Sequence, residues 1–322
     1  MRRFLLALVL AWVFGTSGAL AETFPSRPVT MIVPFPAGGI TDIIARIVAE
    51  GMRKSLGQAV IIENLAGAGG TIGVTRLARA TPDGYTIGIG QWTSHVGGGV
   101  MYNLPFDMHK DLQPLALVSA GPLWIIGRKA LPASNLKELV AWLKANPKAT
   151  GATIGVGSGA HLCLLDFAKE TGTNLVIVPY RGAAPAMQDL LAGQIDIFCP
   201  EAGQTLPQYR AGSVKAFAVL TDKRWFAAPD VPTTGEAGVP TLHFPFWHGL
   251  WAPKGLPADA LARLAAAVQA ALADPDVRKR FTDLGHEVVP REQQTPAGLA
   301  AYYKAETDKW WPIIKAANLK AQ

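Results

Sequence analysis

Only two cysteines, Cys163 and Cys199, occur in the 322 residues. A cysteine-built metal cage is therefore excluded, and at most one internal bridge is possible. On a coarse reading Cys163 falls in the first turn of a helix and Cys199 at the end of a strand, on the same edge of a sheet. A disulfide and a pair of buried thiols stand equally open at this point. Charge is scarce too. Charged residues make up 17% of the chain, the formal net charge is +6, and there is no cluster of Lys and Arg or aromatic-basic motif. Nucleic acid is not an expected partner. The six histidines are scattered, with no pair at i, i+4 on one helix, so neither a metal nor another cofactor is expected. No glycine-rich loop ends in Gly-Lys-Ser/Thr, and no later segment is both long enough and uncharged enough to span a bilayer.

What is present begins with an export signal. Arg2 and Arg3 precede the apolar run Phe4 to Phe14, and Ala19-Leu20-Ala21 has the small-x-small pattern of a cleavage site. The expected mature chain starts at Glu22. Removing the two arginines lowers the formal charge from +6 to +4, a mildly basic balance that suits a small anionic ligand. The remaining length, nearly half hydrophobic, can bury two cores of ordinary size.

Along the chain, apolar strand-length runs alternate with helical periodicity. Val29 to Val33, Ala59 to Glu63 and Tyr85 to Gly90 read as strands, separated by helices Thr41 to Leu56 and Thr71 to Ala80. Strands Leu123 to Arg128, Thr153 to Gly157, Leu175 to Tyr180, Ile195 to Cys199 and Val214 to Leu220 follow. Their helices are Leu136 to Ala145, capped by Ser134 or Asn135, then His161 to Thr171 and Pro185 to Ala192. The Pro- and Gly-rich connector Trp225 to Pro240 leads to an aromatic strand and three helices, Ala258 to Ala273, Asp276 to Leu284 and Pro296 to Ala317. This alternation predicts an α/β fold with largely parallel sheets covered on both faces. Cuts near 124 and 226 predict two domains, 22–124 plus 227–322 and 125–226.

In such sheets ligands gather at the carboxyl ends of strands. "VPFPAGGITD" places Phe35, Pro36, Ala37, Gly38 and Gly39 between a strand and a helix start, where unpaired amides and the helix dipole favour a carboxylate or phosphate. Thr41 or Asp42 capping that helix would instead make the stretch a plain tight turn, and the two readings balance. "ENLAGAGGTIG" fails as a dinucleotide fingerprint, because Ile72 stands where a small residue is required. "TIGVGSGAHLC" repeats the strand-loop-helix arrangement, with the Ser158 hydroxyl and the Gly159 and Ala160 amides, and with His161 free to bond ligand or to cap. "VPYRG" brings Tyr180 and Arg181 to the same edge, Arg181 being able to grip a carboxylate bidentately.

"FPSRP", "VPFPAGGITD", "ENLAGAGGTIG", "TPDGYT", "VPYRGAAPAMQDLLAGQID" and "PDVPTTGEAG" together resemble, in order and spacing, the Bug family of solute-binding proteins of tripartite tricarboxylate transporters. The resemblance runs over essentially the whole mature chain. It implies a periplasmic, type II-like binding fold: two α/β domains, a hinge and a ligand cleft between them. It implies that the loop Phe35 to Gly39 binds a ligand carboxylate and that Ser158 to His161 faces it. Asp42, on this reading, braces the loop with Thr41. The implied protein is a monomer without enzymatic activity that hands an organic carboxylate to membrane transporter subunits.

Ligand identity rests on less stereotyped residues. Trp92, Ser94 and His95 follow a strand on a loop at the expected cleft edge, where an indole face can stack on a ring and His95 can donate to a second carboxylate. An aromatic dicarboxylate such as terephthalate is the favoured expectation, with a citrate-like or dicarboxylic aliphatic acid next. Trp247 and His248 form a second candidate pair for the ligand, set against their reading as part of a hinge-proximal strand with a packed core face. An exported hydrolase is the competing class. It is disfavoured because Ala160 occupies the second glycine position of a nucleophile elbow around Ser158.

Overall fold

The computed structural model describes residues 24–316. The expected leader, 1–21, lies outside them. Among the described residues no helix is long and apolar enough to cross a membrane.

Strand β1 (Val29–Val33) enters the core almost wholly buried. Helix α1 (Ile40–Leu56) follows, burying Ile40, Ile44, Ile47, Val48 and Met52 at helical spacing. It stops at Gly57, whose left-handed backbone (φ 72°) returns its amide to the Arg53 carbonyl at 3.0 Å. Next come β2 (Val60–Asn64), α2 (Thr71–Ala78) and β3 (Thr86–Gln91). A π-helical turn, Thr93–Gly97, and the single-turn helix α3 (Gly98–Met101) precede the long β4 (Leu112–Pro122).

The chain passes directly into β5 (Trp124–Arg128), then α4 (Leu136–Ala145), β6 (Thr150–Thr153), α5 (Gly159–Thr171), β7 (Val176–Pro179), α6 (Ala183–Leu191), β8 (Ile197–Phe198), α7 (Ala202–Arg210) and β9 (Val214–Val219). Asn135 caps α4, accepting the Glu138 amide at 2.9 Å. The return is β10 (Pro245–Pro253), followed by α8 (Ala258–Ala273), α9 (Pro275–Asp283), β11 (Glu287–Val288) and α10 (Pro296–Ala316).

Two sheets result, ordered β11-β4-β10-β3-β1-β2 and β7-β6-β8-β5-β9. The α/β class holds, but the strands are mixed in direction rather than largely parallel. β1 runs parallel to β2 and β3, and β6 parallel to β7 and β8, as crossover helices require. β10 runs antiparallel to both β3 and β4, and β5 antiparallel to β8 and β9. The reason is the double passage between sheets: a strand returning from the other sheet needs no crossover helix and enters in the opposite sense.

The first sheet packs α1 and α8 over a core of Met31, Ile44, Leu115, Leu250 and Leu264. The second covers Trp124, Ile126, Phe198 and Leu206. Burying each such side chain contributes about 2 kcal/mol. Cys163 on α5 and Cys199 just after β8 are joined by a disulfide, Cα atoms 6.4 Å apart. Cys163 lies in the second turn rather than the first, because α5 begins two residues before the expected His161.

Candidate functional site

Four loops meet where the two sheets face each other. The first is 34–39. Pro34 is buried, Phe35 half-buried, and Pro36, Ala37 and Gly38 are exposed. No side chain caps α1, whose N-cap is Gly39. Asp42 does not cap the helix; its carboxylate reaches back to accept the Gly38 amide at 2.9 Å. The same carboxylate takes two bonds from the Arg46 guanidinium, at 2.9 and 3.0 Å, and one from Asn64 at 3.0 Å. Asn64 also donates to the Phe35 carbonyl at 3.1 Å. Burial alone would raise the Asp42 pKa, but the bonds from Arg46, Gly38 and Asn64 outweigh it and hold the group below its ordinary value. Thr41 does not cap either. Its hydroxyl turns inward to His248 Nε2 at 3.2 Å. The first amides of α1 thus lack both intrahelical and side-chain partners, beside a loop held rigid from behind.

The second loop contains Gly70, whose φ of 93° suits glycine. A Cβ there would meet Ser94 at 2.8 Å and Phe35 at 3.2 Å, so the two expected site residues come together only because this position lacks a side chain. The third is the turn after β3. Ser94 Oγ donates to the Gln91 carbonyl at 3.1 Å and lies 2.9 Å from His95 Nδ1. The fourth is the start of α5. Ser158 caps it, accepting the His161 amide at 3.2 Å, and its hydroxyl lies 2.8 Å from that of Thr153. His161 Nδ1 accepts the Gly157 amide at 2.9 Å, which places the proton of the neutral ring on Nε2 and makes that atom a donor. Burial lowers the His161 pKa. The Gly159 amide crosses between the sheets to Thr93 Oγ1 at 3.3 Å, and Ala160 is buried behind it.

Four expected residues sit elsewhere. Trp92 is not on a cleft-edge loop. It is fully buried, 4.7 Å from the Phe244 ring and 5.5 Å from Trp310, with both faces in protein contact. His95 stacks on Trp251 at 3.9 Å, also buried, and desolvation lowers its pKa to about 3. Its backbone carbonyl accepts Tyr303 Oη at 3.1 Å, so this turn is fastened to α10. Tyr180 is committed to Asp189 at 2.6 Å and Arg181 is exposed; among the described residues no hydrogen bond ties either to the first loop. Two cavities, about 310 Å³ around Trp251 and Tyr303 and about 350 Å³ around Phe226 and Arg278, lie away from this meeting of loops.

Residues outside the expected set take part. Thr93, Gly70 and Asn64 make the contacts just described, and His248 holds Thr41. Asn64 was the most accessible from sequence, as a polar strand end beside the first loop. Thr93 and His248 depend on pairings between distant segments.

Comparison with known proteins accords with this arrangement. Residues 44–319 match the family described as tripartite tricarboxylate transporter family receptor. The periplasmic binding protein BugD is 41% identical and superposes with a TM-score of 0.86, over 93% of this chain and all of that one. MatC from Rhodopseudomonas palustris, solved with bound malate, is 38% identical with a TM-score of 0.84, over 90% of this chain and all of MatC. A second R. palustris protein, solved with adipate, is 29% identical with a TM-score of 0.85, over 92% of this chain and 99% of that one. These are receptors that bind solutes rather than enzymes, and on these matches the chain belongs to the tripartite tricarboxylate transporter receptor family, the Bug proteins.

Proposed function

We propose that this chain is a periplasmic receptor that closes two lobes on a small aliphatic dicarboxylate and presents it, as a monomer, to the membrane subunits of a tripartite transporter. The lobes are 22–124 plus 227–322 and 125–226, with the leader removed on export. The observation that carries the reading is the uncapped amino terminus of α1 behind a loop braced by Asp42, Arg46 and Asn64. Free amides and a helix dipole recognise a carboxylate, and the brace sets their positions before the ligand arrives. On the other lobe the Ser158–His161 turn supplies the His161 Nε2 donor for a second acidic group, with Phe35, Ser94 and the glycine amides forming the walls. Tyr180 and Arg181 stand at the outer rim.

The aliphatic reading displaces the aromatic one. Terephthalate is attractive because an indole could stack on its ring, whereas Trp92 is fully buried, in tilted contact with Phe244 and at right angles to Trp310. The malate- and adipate-bound relatives support the same class.

Thermal unfolding of leaderless protein, refolded to strip carried-over ligand, tests this against malate, succinate, adipate, citrate and terephthalate. A ligand at 100 times its Kd stabilises by about 2.7 kcal/mol, a shift of several degrees. A response to the aliphatic diacids is expected. Terephthalate acting alone would restore the aromatic reading, and silence across the panel would overturn the receptor for carboxylates.

The brace yields its own prediction. Asp42→Ala removes the acceptor of the Gly38 amide and strands Arg46, so affinity for the responding diacid should fall about tenfold, or about 1.4 kcal/mol. Calorimetric titration reads this directly. Unchanged affinity would mean that the loop holds its shape without Asp42.

A further inference from the structure

The chain crosses between the sheets at Leu123, and a buried contact between a carboxylate and an imidazole spans the lobes beside that crossing. Glu201 Oε1 lies 3.0 Å from His286 Nε2, with the two side chains 2% and 0% exposed. The Glu201 carboxylate also caps α7, accepting the Gly203 and Gln204 amides at 3.0 and 3.1 Å, and its backbone bridges to Leu123. It is therefore fixed in the second lobe. His286 belongs to the first, on the turn between α9 and β11, where β11 pairs with β4 at Ser119 and Ala120. The preceding Gly285 carbonyl accepts Trp225 Nε1 at 2.8 Å, which seats the same turn against the connector.

From His286 the polar path runs on into the first lobe. The His248 ring centroid lies 5.6 Å away, its Nδ1 is 3.4 Å from Ser119 Oγ, and its Nε2 is 3.2 Å from Thr41 Oγ1. Thr41 is the second residue of α1. Gly121 keeps the path open, since a Cβ there would come within 3.0 Å of His286 and 3.1 Å of the Glu201 carboxylate.

We propose that Glu201, His286 and His248 are positioning residues that couple the angle between the lobes to the placement of the α1 amino terminus. The coupling rests on the reading of that terminus as the carboxylate site. A rotation at Leu123 moves Glu201 relative to His286, which are 3.0 Å apart and sealed from solvent, so any change in that approach must be taken up by the groups packed around them. Displacement of His286 is passed to His248 and through Thr41 to the first turn of α1. Buried polar groups with few alternative partners have discrete arrangements, which is what coupling requires.

The test uses the leaderless chain with spin labels on Arg53→Cys and Lys148→Cys, exposed sites on opposite lobes, and reads interlobe distances without ligand. His286→Ala and Glu201→Gln are each expected to broaden the distribution, and the double variant to do no more than either alone. His286→Gln, which keeps a donor toward Glu201, should restore the narrow distribution. Added malate or adipate should bind about tenfold more weakly to the broadened variants. Distances unmoved in folded His286→Ala, additive effects in the double variant, or no rescue by His286→Gln would each overturn the relay. Should His286→Ala fail to fold, Glu201→Gln and His248→Gln carry the same comparison. Lack of malate and adipate binding by the parent protein would count against the carboxylate reading alone, because the distances are measured without either acid.

Discussion

Moving the protein from pH 7 to pH 5 should remove about 2 kcal/mol of stability through the buried His95 imidazole, with His248 adding to the loss. Desolvation holds His95 at a pKa of about 3, with its ring against Trp251 and no hydrogen-bond partner on Nε2. Burial, and then the nearby His286, hold His248 well below its ordinary value. In the unfolded chain both rings titrate near 6.5. Both folded values lie below that, so as pH falls below about 6.5 the unfolded state carries more protons and acid favours it, for His95 down to about 3. Above 6.5 the rings are neutral in both states and contribute no slope. His95 costs about 1.4 kcal/mol per pH unit inside its window, hence about 2 kcal/mol by pH 5, and His248 adds a loss of the same sign. Asp42, whose folded pKa is lowered, adds its own loss only below the ordinary carboxylate range. Urea melts at pH 7, 6 and 5 measure the sum, and His95→Gln should remove the His95 part of the slope. A flat profile would show that one or both rings find a proton-accepting partner as the fold relaxes.

Removing the disulfide should cost more than the His95 titration. Cys163 and Cys199 enclose 36 positions of chain. Freeing a loop of that length returns entropy to the unfolded state worth about 4 kcal/mol. Both sulfurs are buried, so Cys163→Ala with Cys199→Ala leaves a small void rather than an exposed thiol. The denaturant midpoint of the double variant should match that of the parent in reductant, and both should fall well below that of the oxidised parent. Equal stability with and without the bridge would place the constraint elsewhere, in the packing of α5 on β6 and β8.

Local grammar in the sequence carries much of the fold. The helix Ala258–Ala273 and the helix Leu136–Ala145 stand at the residues their apolar spacing predicts, the second fixed by its Asn135 cap and the first starting after Pro257. The loop at Gly38 was visible for the same reason. What depends on distant partners was not. β4 was missed: its residues are apolar on both faces and it carries Pro114, Gly121 and Pro122, so no alternation marks it. α7 was missed because Pro207 interrupts it and its cap is the acidic Glu201 rather than a hydroxyl. Trp92 was assigned to an exposed rim, since nothing nearby indicates that Phe244 and Trp310 come in from the other end of the chain to enclose it. The antiparallel sense of β10 is equally hidden, being a property of a strand and two neighbours from other parts of the sequence.

The position of β10 has a consequence for how the protein is made. It lies between β3 and β4, pairing His248 with Gln91 on one side and Ser119 on the other. Until that strand arrives, β3 and β4 each present an open edge, while every strand of the second sheet emerges between β4 and β10. The second sheet can therefore form first, and the first stays an incomplete half-sheet with open edges for the whole of that interval. A chain released before β10 should aggregate even with its second sheet correctly folded.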